Sequence, residues 1–357
     1  MRATNGNADC SGPTGTPIFH LHPLLRCNLR CLHCYSSSAP DDSAIIPAAS
    51  ARAAIDMAAA WGYQVLAISG GEPTLYPQLR SLLERAGRHG MRTSIVTNGL
   101  LLDRRGVLDC LRLADTVCVS IDGLAVNHDR MRARQGAFQA MQRTVRTLVD
   151  TGLAVWLSCG VTSANLDEVE EITATAHAWG ARGINFHPVE RAGRAATLAD
   201  TLYLTSEERF ILYAATHLLA QAYAGSFDVT VDLLHTESIV SQPALIYAAD
   251  DGNGELDRDP ARALGVLVME TDGTLSPVCH GFSRQLSIGT FAFNQPNQAE
   301  MMWEDFRRDR YPALCRLGRS LLAGMQAPGE AQVVNPSELL AAHALRLQAV
   351  RPVPALV

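Results

Sequence analysis

The sequence contains no apolar run long enough to cross a bilayer, so no membrane partner is expected. Its first residues lack a basic stretch followed by an apolar one, so no export signal is read there. It has no basic excess: 30 Lys and Arg face 36 Asp and Glu, a net charge of −6, which disfavours nucleic acid as a partner. Nine cysteines without an export signal argue for reduced thiols and metal over disulfides, and for a cytoplasmic location. The remaining composition, 47% hydrophobic and 18% charged, is that of a soluble globular protein, and 357 residues suffice for one large domain and a smaller one.

Three of the cysteines crowd into Cys27-Asn28-Leu29-Arg30-Cys31-Leu32-His33-Cys34-Tyr35, spaced C-x3-C-x2-C, and no fourth lies nearby. Thiolates are soft ligands, and a loop this short can aim three of them at one centre. Structural zinc wants four closed ligands, which here needs His33, His20 or His22 beside the cysteines. An iron–sulfur cubane takes one cysteine per iron, so three local cysteines leave one iron open to a small chelating molecule. Three unrelated thiols are the remaining alternative.

Apolar runs alternate with helical spacings over the first half of the chain. Strands are expected at 16–21, 65–69, 93–97, 116–121, 154–161 and 182–187, with helices at 46–61, 77–89, 103–113, 136–150 and 166–179. Such alternation implies parallel strands joined by right-handed crossovers. Eight units would close a barrel of roughly 250 residues; six leave it incomplete. The fold class is therefore α/β, a partial (β/α)6 TIM-like barrel, with an open doubly wound sheet as the alternative. In either fold chemistry gathers at strand C-termini. Those ends carry the cysteine loop, Gly70-Gly71-Glu72-Pro73, Thr97-Asn98-Gly99, Ser120-Ile121-Asp122-Gly123, Val161 and Phe186-His187.

The cysteine run, followed by Gly70-Gly71-Glu72-Pro73 at the end of a buried strand, closely resembles the radical S-adenosylmethionine (SAM) superfamily. The resemblance implies a partial barrel in which Cys27, Cys31 and Cys34 bind a [4Fe-4S] cluster. The open iron would chelate SAM, and reductive cleavage of SAM would yield a 5'-deoxyadenosyl radical. It implies that Gly70, Gly71, Glu72 and Pro73 receive the methionine amino group, and that Ser120 faces the ribose or carboxylate, with Asp122 beside it. Arg143 is a candidate partner for the carboxylate, equally readable as a solvated helix residue, and Asn98 is a candidate ligand contact or turn cap. Val161 and Phe186 are adenine walls or core. Asn127-His128-Asp129-Arg130 resembles a segment of peptide-modifying members; a surface-loop histidine is the plain alternative.

Pro188 to Ala195 resembles the Pro…Gly-Arg-Ala stretch of extended members, with Glu190 and Arg191 placed where substrate would reach. A helix is expected over 205–224 with Ser206 as its N-cap, then a strand over 227–234 and a hairpin with an Asp272-Gly273 turn inside 265–278. The hairpin leads to Cys279-His280-Gly281 and resembles the start of a SPASM or twitch domain, the module that holds auxiliary clusters. The seven or four cysteines of those modules are reduced here to Cys279 and Cys315. The expected organisation is a flexible lead-in (1–15), the partial barrel (16–195), a degenerate SPASM/twitch-like α+β extension (196–324), and a linker with a terminal helix (325–357). The resemblance implies a peptide or small-molecule substrate and an electron donor such as flavodoxin or ferredoxin. A dehydrogenase, epimerase or methyl-transfer enzyme, a non-catalytic electron carrier and a peptide-binding module are the alternatives.

Overall fold

The computed structural model describes residues 15–248, 259–292, 297–325 and 332–350. The expectations for the lead-in and the linker after 325 fall almost wholly outside them.

Six strands form where the apolar runs predict them: β1 (Ile18–Leu21), β2 (Val65–Ile68), β3 (Arg92–Thr97), β4 (Thr116–Ile121), β5 (Ala154–Val161) and β6 (Gly183–Pro188). Between them lie α1 (Ala48–Ala60), α2 (Leu79–Arg88), α3 (Val107–Leu111), α4 (Ala125–Met131), α5 (Ala137–Asp150) and α6 (Val169–Ala178). Helix α3 is shorter than its pattern, and α4 occupies a stretch read as a loop. Helix α7 (Ser206–Ala222) is capped by Thr205, not Ser206: Thr205 and Glu208 form a reciprocal capping box. Beyond it come β7 (Asp228–Val231), β8 (Leu234–His235), β9 (Val266–Met269), β10 (Thr274–Pro277), β11 (Gly289–Thr290) and β12 (Val333–Val334).

One sheet runs β11-β10-β9-β1-β2-β3-β4-β5-β6-β7, and β12 pairs with β8 separately. Strands β1 to β7 are parallel and stand in chain order without reversal. A doubly wound sheet reverses at a switch point, so that alternative is excluded. Right-handed crossovers then lay the helices on one side, and the sheet curls into a partial TIM-like barrel. The sheet does not stop at the boundary expected near 195: β7 adds to one edge, and β9 pairs in parallel with β1 at the other, bringing the hairpin with it.

The two faces differ sharply. Phe19, Leu21, Leu66, Ile68, Ile95, Val117, Val119, Leu157, Ile184 and Phe186 belong to one apolar core with the helices. Helix α2 contributes Leu79, Leu82, Leu83 and Ala86, the stripe its spacing predicts. Each such aliphatic side chain contributes about 1.5–3 kcal/mol by leaving water. Alternate positions face the concave side, and they are largely polar: His20, Ser69, Ser94, Ser120, Ser158, Asn185 and His187. Register pairs Ser120 with Ser158, Ser158 with Asn185, and Gly160 with His187. The sheet therefore has a dry outer face and a polar lumen.

Candidate active site at the strand C-termini

The cysteine loop leaves the end of β1 and is shaped by its own backbone. The Cys27 N–H donates to the Ala39 carbonyl (3.1 Å), Cys34 N–H to Cys31 (3.4 Å), and Leu29 N–H to the Cys27 sulfur (3.4 Å). Cys27, Cys31 and Cys34 are free thiols. Burial pushes the Cys27 thiol up to about 12 and raises that of Cys31, where the nearby Arg132 guanidinium opposes the rise. The three do not converge as the ligands of one ion do. Among the described residues, no three His, Cys, Asp or Glu side chains are placed to hold a single metal ion. A cubane spreads its ligands over separate irons and takes soft thiolates, so three free thiols on one loop suit it.

The glycine turn packs against this loop. Gly71 N–H donates to Leu24 (2.8 Å) and Glu72 N–H to Arg26 (3.0 Å). A Cβ on Gly71 would lie 2.2 Å from the Arg26 carbonyl oxygen, so the close approach that demands glycine here is to the loop's own backbone. Glu72 is buried, and its carboxylate accepts from Thr74 N–H (3.1 Å), Thr74 hydroxyl (2.7 Å), Thr97 hydroxyl (2.8 Å) and Asn98 N–H (2.9 Å). Burial raises its carboxyl, and these donors oppose the rise. The Asn98 amide donates to Asn28 (2.7 Å) and lies 3.8 Å from the Cys27 sulfur, so Asn98 meets the cysteine loop.

Asp122 is buried and faces the loop as well. One oxygen lies 3.2 Å from His33 Nε2, the other 2.6 Å from Arg132 Nε. Burial alone would raise the Asp122 carboxyl; the Arg132 guanidinium and His33 outweigh it and hold it well below the usual carboxylate range. Arg132 in turn points NH1 at the Cys31 sulfur (3.8 Å). His128 is wholly buried, not a surface residue, and its Nδ1 accepts the Asp122 N–H (3.1 Å). Burial and Arg132 lower its imidazole to about 4, so it is neutral.

Arg194 grips the loop from the far side. Its guanidinium donates to the carbonyls of Cys31 (2.7 Å), Ser37 (3.2 Å) and Ser38 (2.8 Å), and its N–H to Cys34 (2.9 Å). Arg132 does not stand out in the sequence, whereas Arg194 is the arginine of the Gly-Arg-Ala stretch. Glu190 and Arg191 are engaged elsewhere: Glu190 accepts from Asn335 (3.1 Å), and Arg191 pairs with Asp200 (2.7 Å) over the Tyr203 ring.

The hairpin brings His280 against His22 (ring centroids 4.8 Å) and Tyr35 (5.3 Å), while Ser69 links His20 (2.6 Å) and the Tyr35 hydroxyl (3.3 Å). Polar groups of β1, β2 and the extension thus meet beside Cys34.

Of the expected site residues, the cysteines, Gly70 to Pro73, Asn98 and Asp122 come together, and Ser120 sits half-buried on the lumen face next to them. Arg143 does not join them. It lies exposed on α5, whose buried stripe is Met141, Val145 and Leu148, and a residue two positions from Met141 turns away from that stripe. Val161 and Phe186 are core.

Residues 22–176 match the Radical SAM superfamily. The chain is 26% identical over 338 residues to Fe-coproporphyrin III synthase of Methanosarcina barkeri, covering 92% of this chain and 79% of that one. It is 26% identical to the antilisterial bacteriocin subtilosin biosynthesis protein AlbA of Bacillus subtilis, covering 61% of this chain and half of AlbA. Its fold is similar to Streptococcus suis SuiB bound to precursor peptide SuiA, with TM-score 0.61, 16% identity, and coverage of 83% of this chain and 65% of that one. The thiol loop, the glycine turn it packs against and the strands of the curled parallel sheet from β2 to β5 thus fall within the match over residues 22–176 to the radical SAM superfamily, whose cofactors are a [4Fe-4S] cluster and SAM.

Proposed function

We propose that this enzyme cleaves SAM reductively and uses the resulting radical to modify a peptide or natural-product precursor. The observation that carries the reading is the set of three free thiols, Cys27, Cys31 and Cys34, on one loop at the mouth of a polar lumen. Those three residues would hold a [4Fe-4S] cluster, which when bound supplies the electron for SAM cleavage to a 5'-deoxyadenosyl radical. The chain's own residues do the rest. Gly70 to Pro73 fix the turn beside the loop, and Glu72 fastens that turn to the end of β3. Ser120 and Asn98 offer polar groups at neighbouring strand ends. The lumen residues Ser158, Asn185 and His187 orient a polar substrate, and the hairpin side chains around His280 cover the mouth and restrict water. A flavodoxin or ferredoxin is the proposed electron donor, and the cytoplasm the proposed location; no helix among the described residues is long and apolar enough to cross a membrane.

Peptide substrates are supported by the likeness to AlbA and to peptide-bound SuiB. A second reading, a cofactor precursor of the tetrapyrrole class, is favoured by the match to Fe-coproporphyrin III synthase, which extends over 92% of the chain. Anaerobically reconstituted protein with dithionite and SAM is expected to yield 5'-deoxyadenosine, and Cys31→Ala to abolish it. Undiminished product from that variant, or a colourless zinc protein after reconstitution, would overturn the proposal.

A further inference from the structure

We infer that Arg132, held in place by Asp122, is a positioning residue that sets the reduction potential of the cluster bound through Cys31. This rests on the reading of Cys27, Cys31 and Cys34 as the cluster ligands. Arg132 caps the end of α4, its N–H donating to His128 (2.9 Å), and the preceding carbonyl of Met131 receives the Leu32 N–H of the cysteine loop (2.9 Å). Its side chain is 11% exposed and that of Asp122 1%. The Nε arm meets Asp122 at 2.6 Å, and NH1 reaches the Cys31 sulfur at 3.8 Å.

Fastening the loop does not require this arrangement, because His33 already ties it to Asp122 at 3.2 Å. A buried ion pair is also a poor device for stability alone, since desolvation cancels much of its attraction. What the guanidinium adds is a permanent charge and an N–H donor at one ligand sulfur. Hydrogen bonds to the sulfurs and nearby positive charge stabilise the added electron and raise the potential of an iron–sulfur cluster. The Asp122 carboxylate, 2.6 Å behind the guanidinium, offsets part of that charge. Arg132 and Asp122 therefore act in opposite directions on the same centre.

The test is a redox titration of the anaerobically reconstituted full chain, followed by electron paramagnetic resonance without SAM, with iron quantified in each sample. Arg132→Gln is expected to move the midpoint to a more negative value. Asp122→Asn, which leaves the guanidinium uncompensated, is expected to move it to a more positive one. Arg132→Lys is expected to stay closer to the parent than Arg132→Gln does. A merely structural pair gives no shift or shifts of the same sign, and either result overturns the inference. If Arg132→Gln loses its iron, the sign in Asp122→Asn decides: an unmoved or lowered midpoint overturns it. A parent chain that shows no cluster signal at all overturns both the ligand reading and this inference.

Discussion

The Glu72 carboxylate accepts the backbone N–H of Asn98 at 2.9 Å, across the gap between the ends of β2 and β3. Three further donors from Thr74 and Thr97 complete its shell. The side chain is therefore a clasp between two strand ends, and the turn keeps its shape because a buried anion is fully hydrogen-bonded. Replacing it by Gln turns one acceptor oxygen into an NH2 that faces donors. Each bond to a charged group is worth about 1.5–3 kcal/mol, so Glu72→Gln is expected to cost about 2–4 kcal/mol in denaturant unfolding. SAM binding should weaken while the cluster absorbance persists. Loss of the cluster as complete as in Cys31→Ala would make Glu72 a support of the cysteine loop instead.

Gly71→Ala tests the contact between the glycine turn and the loop. The new methyl would sit 2.2 Å from the Arg26 carbonyl oxygen, and the obstacle is backbone, which cannot swing aside. The expected cost is about 3 kcal/mol or more, at the upper end of overpacking penalties. Iron retained after reconstitution should fall together with stability, because the displaced segment leads directly into Cys27. Gly87→Ala, where a Cβ meets nothing within 4 Å, is the control and should retain the parent's iron.

These contacts separate what the sequence discloses from what it conceals. Cys27, Cys31 and Cys34 announce themselves because their ligand spacing is local, and the six strands because each buries an apolar face with a local pattern. Arg132 gives no such signal, and the Gly-Arg-Ala stretch marks Arg194 without showing what it grips. Their partners in the cysteine loop are 101 and 163 residues away, and an arginine in a helix or loop ordinarily reads as solvated. His128 resembles a loop histidine until α4 forms around it. Arg143 is open in the sequence between a carboxylate partner and a solvated helix residue because a charge near a predicted site says nothing about which side of α5 it occupies; it lies exposed. The Asp272-Gly273 turn predicts the hairpin, but the parallel pairing of β9 with β1 is non-local and has no sequence mark.

Arg194→Ala removes three carbonyl partners from the loop at once. At about 1.5–3 kcal/mol per bond from a charged donor, less what water recovers, the loop should loosen by several kcal/mol. Anaerobic reconstitution should then load less iron than the parent, and bound iron should be lost faster to a chelator. An unchanged chelation rate would show that the loop holds its shape without this clamp.

Acid should destabilise the protein through His128. Its imidazole lies at about 4 in the folded chain, against 6.5 ordinarily, chiefly through burial. Below 6.5 the unfolded chain takes up a proton that the folded one refuses, so the unfolded state binds more protons and stability falls with falling pH. At about 1.4 kcal/mol per unit, this group alone should remove about 2 kcal/mol between pH 7 and 5. The depressed Asp122 carboxyl acts in the same direction, but only below the ordinary carboxylate range. Urea unfolding at both pH values should show the loss in the parent and a flatter slope in His128→Leu, whatever the variant's absolute stability.

The last prediction is that the chain binds one cubane and no complete auxiliary cluster. A [4Fe-4S] cluster ordinarily takes four cysteines, or three with an open iron. Beyond the loop, the described free thiols are Cys110, Cys159, Cys279 and Cys315. Cys159 is sealed in the core and Cys110 lies in α3 against it. Cys279 and Cys315 approach a common neighbour, Tyr247, whose hydroxyl is pushed up first by burial and then by those two thiols. They supply two ligands, and His280, next to Cys279 in the chain, has Nδ1 4.0 Å from Glu270. Reconstituted parent should therefore carry roughly four irons per chain, one cubane's worth. Cys279→Ala combined with Cys315→Ala should leave that number unchanged. Roughly eight irons in the parent, falling to about four in the double variant, would establish an auxiliary cluster and show that a further ligand completes it.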